Sequence, residues 1–208
     1  MPSRMTSLLS LGACLALLTA ASSLWAAPED QLEIGKPAPT FKLPGVDDKD
    51  CALADLLKKN KAVVVVWMAN HCPVAVAYQD RLIEIQKDYK EKGVAVVAIS
   101  SNDVEAYPAD SFDNMKKRAK EKKYNFPFLY DESQEVARAY KATCTPHVFV
   151  IDANGNLAYR GAVDDNQNPK KVAAPYLRNA LDSVLADKPV EKPTTRQFGC
   201  SIKWKKKS

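Results

Sequence analysis

The residues able to do chemistry are few and centred on sulfur. Cysteines stand at positions 14, 51, 72, 144 and 200, beside two histidines, His71 and His147. No two cysteines have C-x-x-C spacing, so a structural zinc site is not expected, and no cofactor is implied. Cys72 is set apart by what surrounds it. It closes the stretch KAVVVVWMANHCP (61–73), a continuous apolar β-branched run suited to a strand buried on both faces. Pro73 then opens a helical pattern, and proline fits the first helical position because its missing N–H costs nothing there. Unpaired backbone N–H groups and the positive end of the helix dipole would favour a thiolate at Cys72. Such a thiolate attacks a disulfide sulfur or a peroxide oxygen, giving a mixed disulfide or a sulfenic acid. His71, if protonated, would lower the Cys72 pKa further or hydrogen-bond a substrate.

The elements that must hold this thiol follow from periodicity. Residues 31–44, proline-punctuated, read as a lead-in or edge strand, and 50–57 as a short helix after a turn. Val74, Tyr78, Leu82, Ile85 and Tyr89 recur at spacings of three and four, predicting an amphipathic helix over 73–90 that Gly93 ends. VAVVAIS (94–100) is a second buried strand, so strand, helix and strand form a right-handed βαβ unit with a parallel pair. A helix capped by Ser111 or Asp113 runs to about 123, followed by a short strand over 127–130 and a short helix over 132–140. Ala153-Asn154-Gly155-Asn156 joins strands 148–152 and 157–160 as a hairpin. Leu177, Leu181, Val184 and Leu185 mark a closing helix, and 188–193 is a linker.

Composition bounds the rest. At 208 residues, with 46% hydrophobic and 26% charged residues, the chain holds one ordinary core. Arg4, an apolar stretch over 8–18 and small residues up to Ala26-Ala27-Pro28 read as a cleavable secretory signal over 1–27. The expected products are a folded domain over 28–187 and a tail over 188–208 that carries Cys200. The apolar stretch falls short of the ~20 residues of a membrane span, so no stable membrane insertion is expected after cleavage. Leu11-Gly12-Ala13-Cys14 loosely matches a lipoprotein box, which makes a lipid anchor the minority alternative. The net charge of +5 owes much to the lysines near the C-terminus, read here as a solvated end, and no basic stripe supports nucleic-acid binding. Secretion or export to a periplasm favours disulfides, and four thiols outside the leader leave several pairings open.

The order strand, helix, strand, helix, hairpin, helix is that of thioredoxin, an α/β fold with a central mixed sheet flanked by helices. Asn70-His71-Cys72-Pro73, residues 98–103 (AISSND), Tyr130-Asp131-Glu132, Thr145-Pro146, Tyr159-Arg160-Gly161 and residues 199–205 (GCSIKWK) resemble the bacterial redoxin family. This is the peroxiredoxin-like (AhpC/TSA) branch of the thioredoxin-like superfamily, and the similarity spans about 32–205. The resemblance implies the thioredoxin-like fold with an N-terminal extension and a peroxiredoxin-type insertion. It implies a thiol-based oxidoreductase whose partner is a protein thiol or disulfide, or a small hydroperoxide. It also implies that Pro146 is cis and that Thr145 offers backbone groups to an extended substrate. By the same likeness Cys200 is the candidate resolving thiol, within one chain or between two in a homodimer, and Cys144 is the second candidate.

The departures matter as much. Position 75 is Ala where thioredoxins carry their second cysteine. Val65, Ala69 and Pro146 stand where peroxiredoxins keep a proline, a threonine and an arginine, so the donors that polarise peroxide are missing. Thiol–disulfide exchange is therefore favoured over peroxide reduction. His-Cys-Pro at a strand end also resembles Sco-type copper-delivery proteins, but Val76 breaks the required cysteine pair. A non-catalytic secreted binding module is the remaining alternative. Cys51 is expected to be structural, His147 to pack, Arg160 to form a surface ion pair, and Asp164-Asp165 to hold a turn.

Overall fold

The strands at the centre of this molecule are apolar on both sides because both faces of their sheet are covered. The computed structural model describes Met1 and residues 31–206; the expected leader beyond Met1, including Cys14, lies outside the described residues. In chain order the elements are β1 (Lys42–Pro44), β2 (Asp50–Ala52), α1 (Leu53–Leu57), β3 (Ala62–Trp67), α2 (Pro73–Tyr89), β4 (Val94–Ser100) and α3 (Phe112–Lys122). There follow β5 (Phe128–Tyr130), α4 (Glu135–Ala139), β6 (Cys144–Thr145), β7 (His147–Asp152), β8 (Leu157–Gly161), α5 (Tyr176–Leu185) and β9 (Cys200–Ser201). The main sheet has the order β5-β4-β3-β7-β8. β3 runs parallel to β4 and antiparallel to β7, which makes the sheet mixed.

Alternation along each strand divides the core in two. Val64, Val66, Val96 and Val150 face a layer with Tyr78, Leu82, Leu177 and Leu181. Val63, Val65, Trp67, Val97 and Ile151 face Phe41, Leu53, Ala137 and Tyr140. All six residues of β3 are fully buried, and this is why its sequence shows no polar alternation.

Three expectations are corrected. The helix read over 50–57 begins only at Leu53, because Asp50–Ala52 pairs antiparallel with Lys42–Pro44. The turn between them is closed by Gly45 N–H donating to the Lys49 carbonyl at 2.8 Å. The extended lead-in is strand only at β1, within that small separate sheet. Spacing along the chain does not register this pairing, since each of the two strands is decided by the other. The C-terminal lysine segment, read as a solvated end, keeps Trp204, Lys205 and Lys206 exposed but docks through its backbone: Lys203 N–H donates to Asn102 Oδ1 at 2.8 Å, and Lys205 N–H to Gln134 Oε1 at 2.8 Å. No described helix is long and apolar enough to cross a membrane.

Candidate active site

Cys72 is the N-cap of α2 and Pro73 its first residue. With extended backbone (φ −83°, ψ 114°), the side chain turns back over the helix mouth and accepts Ala75 N–H at 3.4 Å. The strand end thus delivers the sulfur to a helix terminus, where unpaired donors favour the anion. Across the site the Thr145–Pro146 bond is cis. The Thr145 carbonyl accepts the Cys72 thiol at 3.1 Å.

The tail completes the site. β9 pairs antiparallel with β6, setting Cys200 opposite Thr145 and Ser201 opposite Cys144. Thr145 Oγ1 donates to the Cys200 carbonyl at 3.5 Å, and Ile202 N–H to the Thr143 carbonyl at 3.1 Å. This closeness requires Gly199. A Cβ there would lie 2.1 Å from the Thr145 carbonyl oxygen, and its φ of +146° disfavours any side chain. Cys72 is fully buried, Cys144 nearly so, and Cys200 partly exposed. All four described cysteines are free thiols.

The three clustered thiols differ electrostatically. Burial pushes the Cys72 thiol up, but hydrogen bonds from the side chains of Cys200 and Thr145 and from the N–H groups of Ala75 and Cys200 outweigh it. The net shift is downward. Cys200 is pushed up to about 11, by burial and then by holding the proton it shares with Cys72. Cys144 is pushed up to about 11 by burial, with Thr143 opposing and the neighbouring sulfurs adding to the rise. Cys51 lies on β2 against the other core layer, its thiol raised by burial, Asp47 and Asp55, so the fold keeps it out of this cluster.

His71 Nδ1 meets Asp110 Oδ2 at 2.5 Å, and its ring packs on Tyr107 with centroids 4.7 Å apart. His147 is buried and accepts Thr143 N–H at Nδ1, 3.3 Å away. Burial, then the charge of Arg160, pushes its pKa down to about 3. It packs behind the cis-proline loop, as expected. Arg160 forms no ion pair among the described residues and lies half-buried with Nε unpartnered. Asp164 pairs with Arg81 at 2.5 Å, while Asp165 accepts Ala173 and Ala174 N–H and holds the turn.

Sequence reasoning missed Asp110, Asn102 and Gln134. Asp110 is fully buried and accepts the backbone N–H groups of Asn70 and His71 at 2.6 and 3.2 Å, fixing the loop that precedes Cys72. Asn102 Nδ2 donates to Asp110 at 2.9 Å while its Oδ1 holds Lys203, so one amide ties the loop to the tail. Their signals were slight: Asp110 ends a proline-initiated turn, and Asn102 lies in the AISSND stretch, whose spacing alone suggests no role. Among the described residues no group of three or more His, Cys, Asp or Glu side chains could hold a metal.

A thiolate-favouring cysteine at a helix mouth, facing a cis-proline loop beside a mixed five-stranded sheet, defines a thiol oxidoreductase of the thioredoxin-like fold. Residues 33–177 match the Redoxin family model, and the chain belongs to that family. A solved structure of an uncharacterized conserved protein from Geobacillus kaustophilus is 44% identical with a TM-score of 0.79, covering 85% of this chain and 94% of its own. A hypothetical protein from Sinorhizobium meliloti 1021 is 37% identical with a TM-score of 0.79, covering 84% of this chain and 96% of its own. Among curated relatives, the thiol-disulfide oxidoreductase ResA of Bacillus thuringiensis subsp. konkukian is 27% identical over 129 residues, 62% of this chain and 69% of the relative.

Proposed function

We propose that this protein exchanges thiols and disulfides with protein partners outside the cytoplasm, with Cys72 as nucleophile and Cys200 as resolving thiol. The observation that carries the reading is the Cys72 sulfur at the N-cap of α2, 3.1 Å from the carbonyl of Thr145, the residue that β9 sets opposite Cys200. The Cys72 thiolate attacks one sulfur of a partner disulfide; the partner's S–S bond breaks, the other partner sulfur leaves as thiolate, and a mixed disulfide forms. Once Cys72 is no longer anionic, the charge that helped hold the Cys200 proton is gone. Cys200 then loses its proton and attacks the Cys72 sulfur, releasing the reduced partner and leaving a Cys72–Cys200 disulfide. An external dithiol returns the protein to its starting state. Cys144 is the alternative resolver by proximity.

Two further points support this over a peroxidase. Ala69 and Pro146 offer no side-chain donor to a peroxide oxygen, and the curated relative above is named for thiol–disulfide exchange. Location outside the cytoplasm rests on the leader-like 1–27 segment. The test is to react the reduced protein with a disulfide-bonded peptide and map adducts by mass. Cys200→Ser should accumulate a peptide disulfide on Cys72, and Cys72→Ser should not react. Exchange at the wild-type rate by Cys72→Ser refutes the assignment.

A further inference from the structure

The tail crosses the mouth of the site as an extended strand, and each of its positions meets a distinct feature. Phe198 packs edge-on against Tyr78, with ring centroids 6.0 Å apart. Gly199 lies where any Cβ would strike the Thr145 carbonyl, and Cys200 is set opposite Thr145. Ile202 is buried in the layer of Tyr140 and Ala142. At Lys203 the main chain is held at both ends: Asn102 Oδ1 accepts its N–H, while its carbonyl accepts from Asp103 N–H at 2.7 Å and Gln134 Nε2 at 2.8 Å; its side chain turns away to Ser201 Oγ and the Tyr107 ring. Gln134 Oε1 then accepts Lys205 N–H, and Trp204 stacks with Arg138 at 4.4 Å.

Asn102 and Gln134 are both almost completely buried. Two buried amides that read main chain, beside a strand edge, a buried seat for Ile202 and the Arg138 guanidinium under Trp204, form the physical equipment of an extended-peptide site. We infer that this groove is a docking site for a partner polypeptide presenting Gly-Cys-x-aliphatic-x-aromatic in extended form, and that the tail is its resident occupant. The inference rests on the exchange reading for its purpose: the partner's cysteine would arrive where Cys200 now lies, next to Cys72. The tail must leave first, since Cys72 has no exposed surface while it is docked.

The experiment opens the groove from the tail side and keeps the full chain. Ile202→Asp places a charge in the apolar pocket; Gly199→Val creates the clash at Thr145 and serves if the first variant does not fold. A fluorescent peptide of residues 196–206 carrying Cys200→Ser is then titrated and followed by anisotropy. The opened variants should bind it at least about tenfold more tightly than wild type, and binding should fall by a similar factor when Asn102→Ala and Gln134→Ala are added. The same peptide with Gly199→Val should not bind. Alkylation of Cys72 should accelerate about tenfold or more in the opened variants and slow again with peptide. Equal binding of both peptides, or none by folded opened variants, overturns the inference. A wild-type dimer abolished by Ile202→Asp would assign the groove to a second copy and also overturn it. The serine peptide has no thiol, so an opened variant that exchanges disulfides but binds no peptide refutes the groove and leaves the chemistry standing.

Discussion

Replacing Asp110 by alanine takes one acceptor away from four donors at once. The Asn70 and His71 backbone N–H groups lie 2.6 and 3.2 Å from Oδ1, and His71 Nδ1 and Asn102 Nδ2 lie 2.5 and 2.9 Å from Oδ2. The His71 side chain keeps 16% exposure and can turn to water, whereas the Asp110 side chain has none. The two backbone donors are fixed by the turn into α2 and cannot follow. Asn102 Nδ2 is buried and its amide is pinned by Lys203 N–H, so three donors are stranded; at about 1–3 kcal/mol each, Asp110→Ala should destabilise by about 3–9 kcal/mol. Against a usual total of about 5–15 kcal/mol, that is a large share. Asp110→Asn keeps an oxygen for the backbone donors but sets its amide against that of Asn102, so its cost should be smaller, about 1–2 kcal/mol. Urea unfolding of the reduced proteins reads this as a lower midpoint at unchanged slope. A loss for Asp110→Ala below about 1 kcal/mol would show that the carboxylate does not hold the loop, and the reasoning would fail.

Two further predictions concern pH. Because Cys72 is held below the ordinary thiol range partly by Cys200, Cys200→Ala should move the midpoint of Cys72 alkylation against pH upward. An unmoved midpoint removes Cys200 as a donor to the thiolate. His147 is held down at about 3, while the unfolded chain takes up its proton near about 6.5. Between those values the unfolded state binds more protons, so stability falls as pH drops, by up to about 1.4 kcal/mol per unit from this group. His147→Asn should flatten that part of the stability profile in urea titrations between pH 6 and 4. A slope equal to wild type means the imidazole is protonated in the folded chain.

Local chemistry in the sequence was enough for the central features. The unbroken β-branched run of β3, the proline after Cys72 and the three-and-four spacing of α2 each act over a few residues. Together they placed Cys72 at a helix mouth beside a parallel pair, as the structure has it. The Asn-Gly turn placed the hairpin by the same local logic. What depended on distant partners was not legible. Asp50–Ala52 is strand because β1 lies beside it, and His71 Nδ1 finds its partner in Asp110, 39 residues away. The tail shows this most fully. Its lysines suggest solvent when read alone, yet Asn102 and Gln134 bind its backbone from 101 and 71 residues away and lay Cys200 against Thr145. A main-chain N–H or carbonyl carries no mark in the sequence of which buried amide will meet it, so the family likeness could nominate Cys200 as the second thiol, but only the folded structure shows what holds it beside the first.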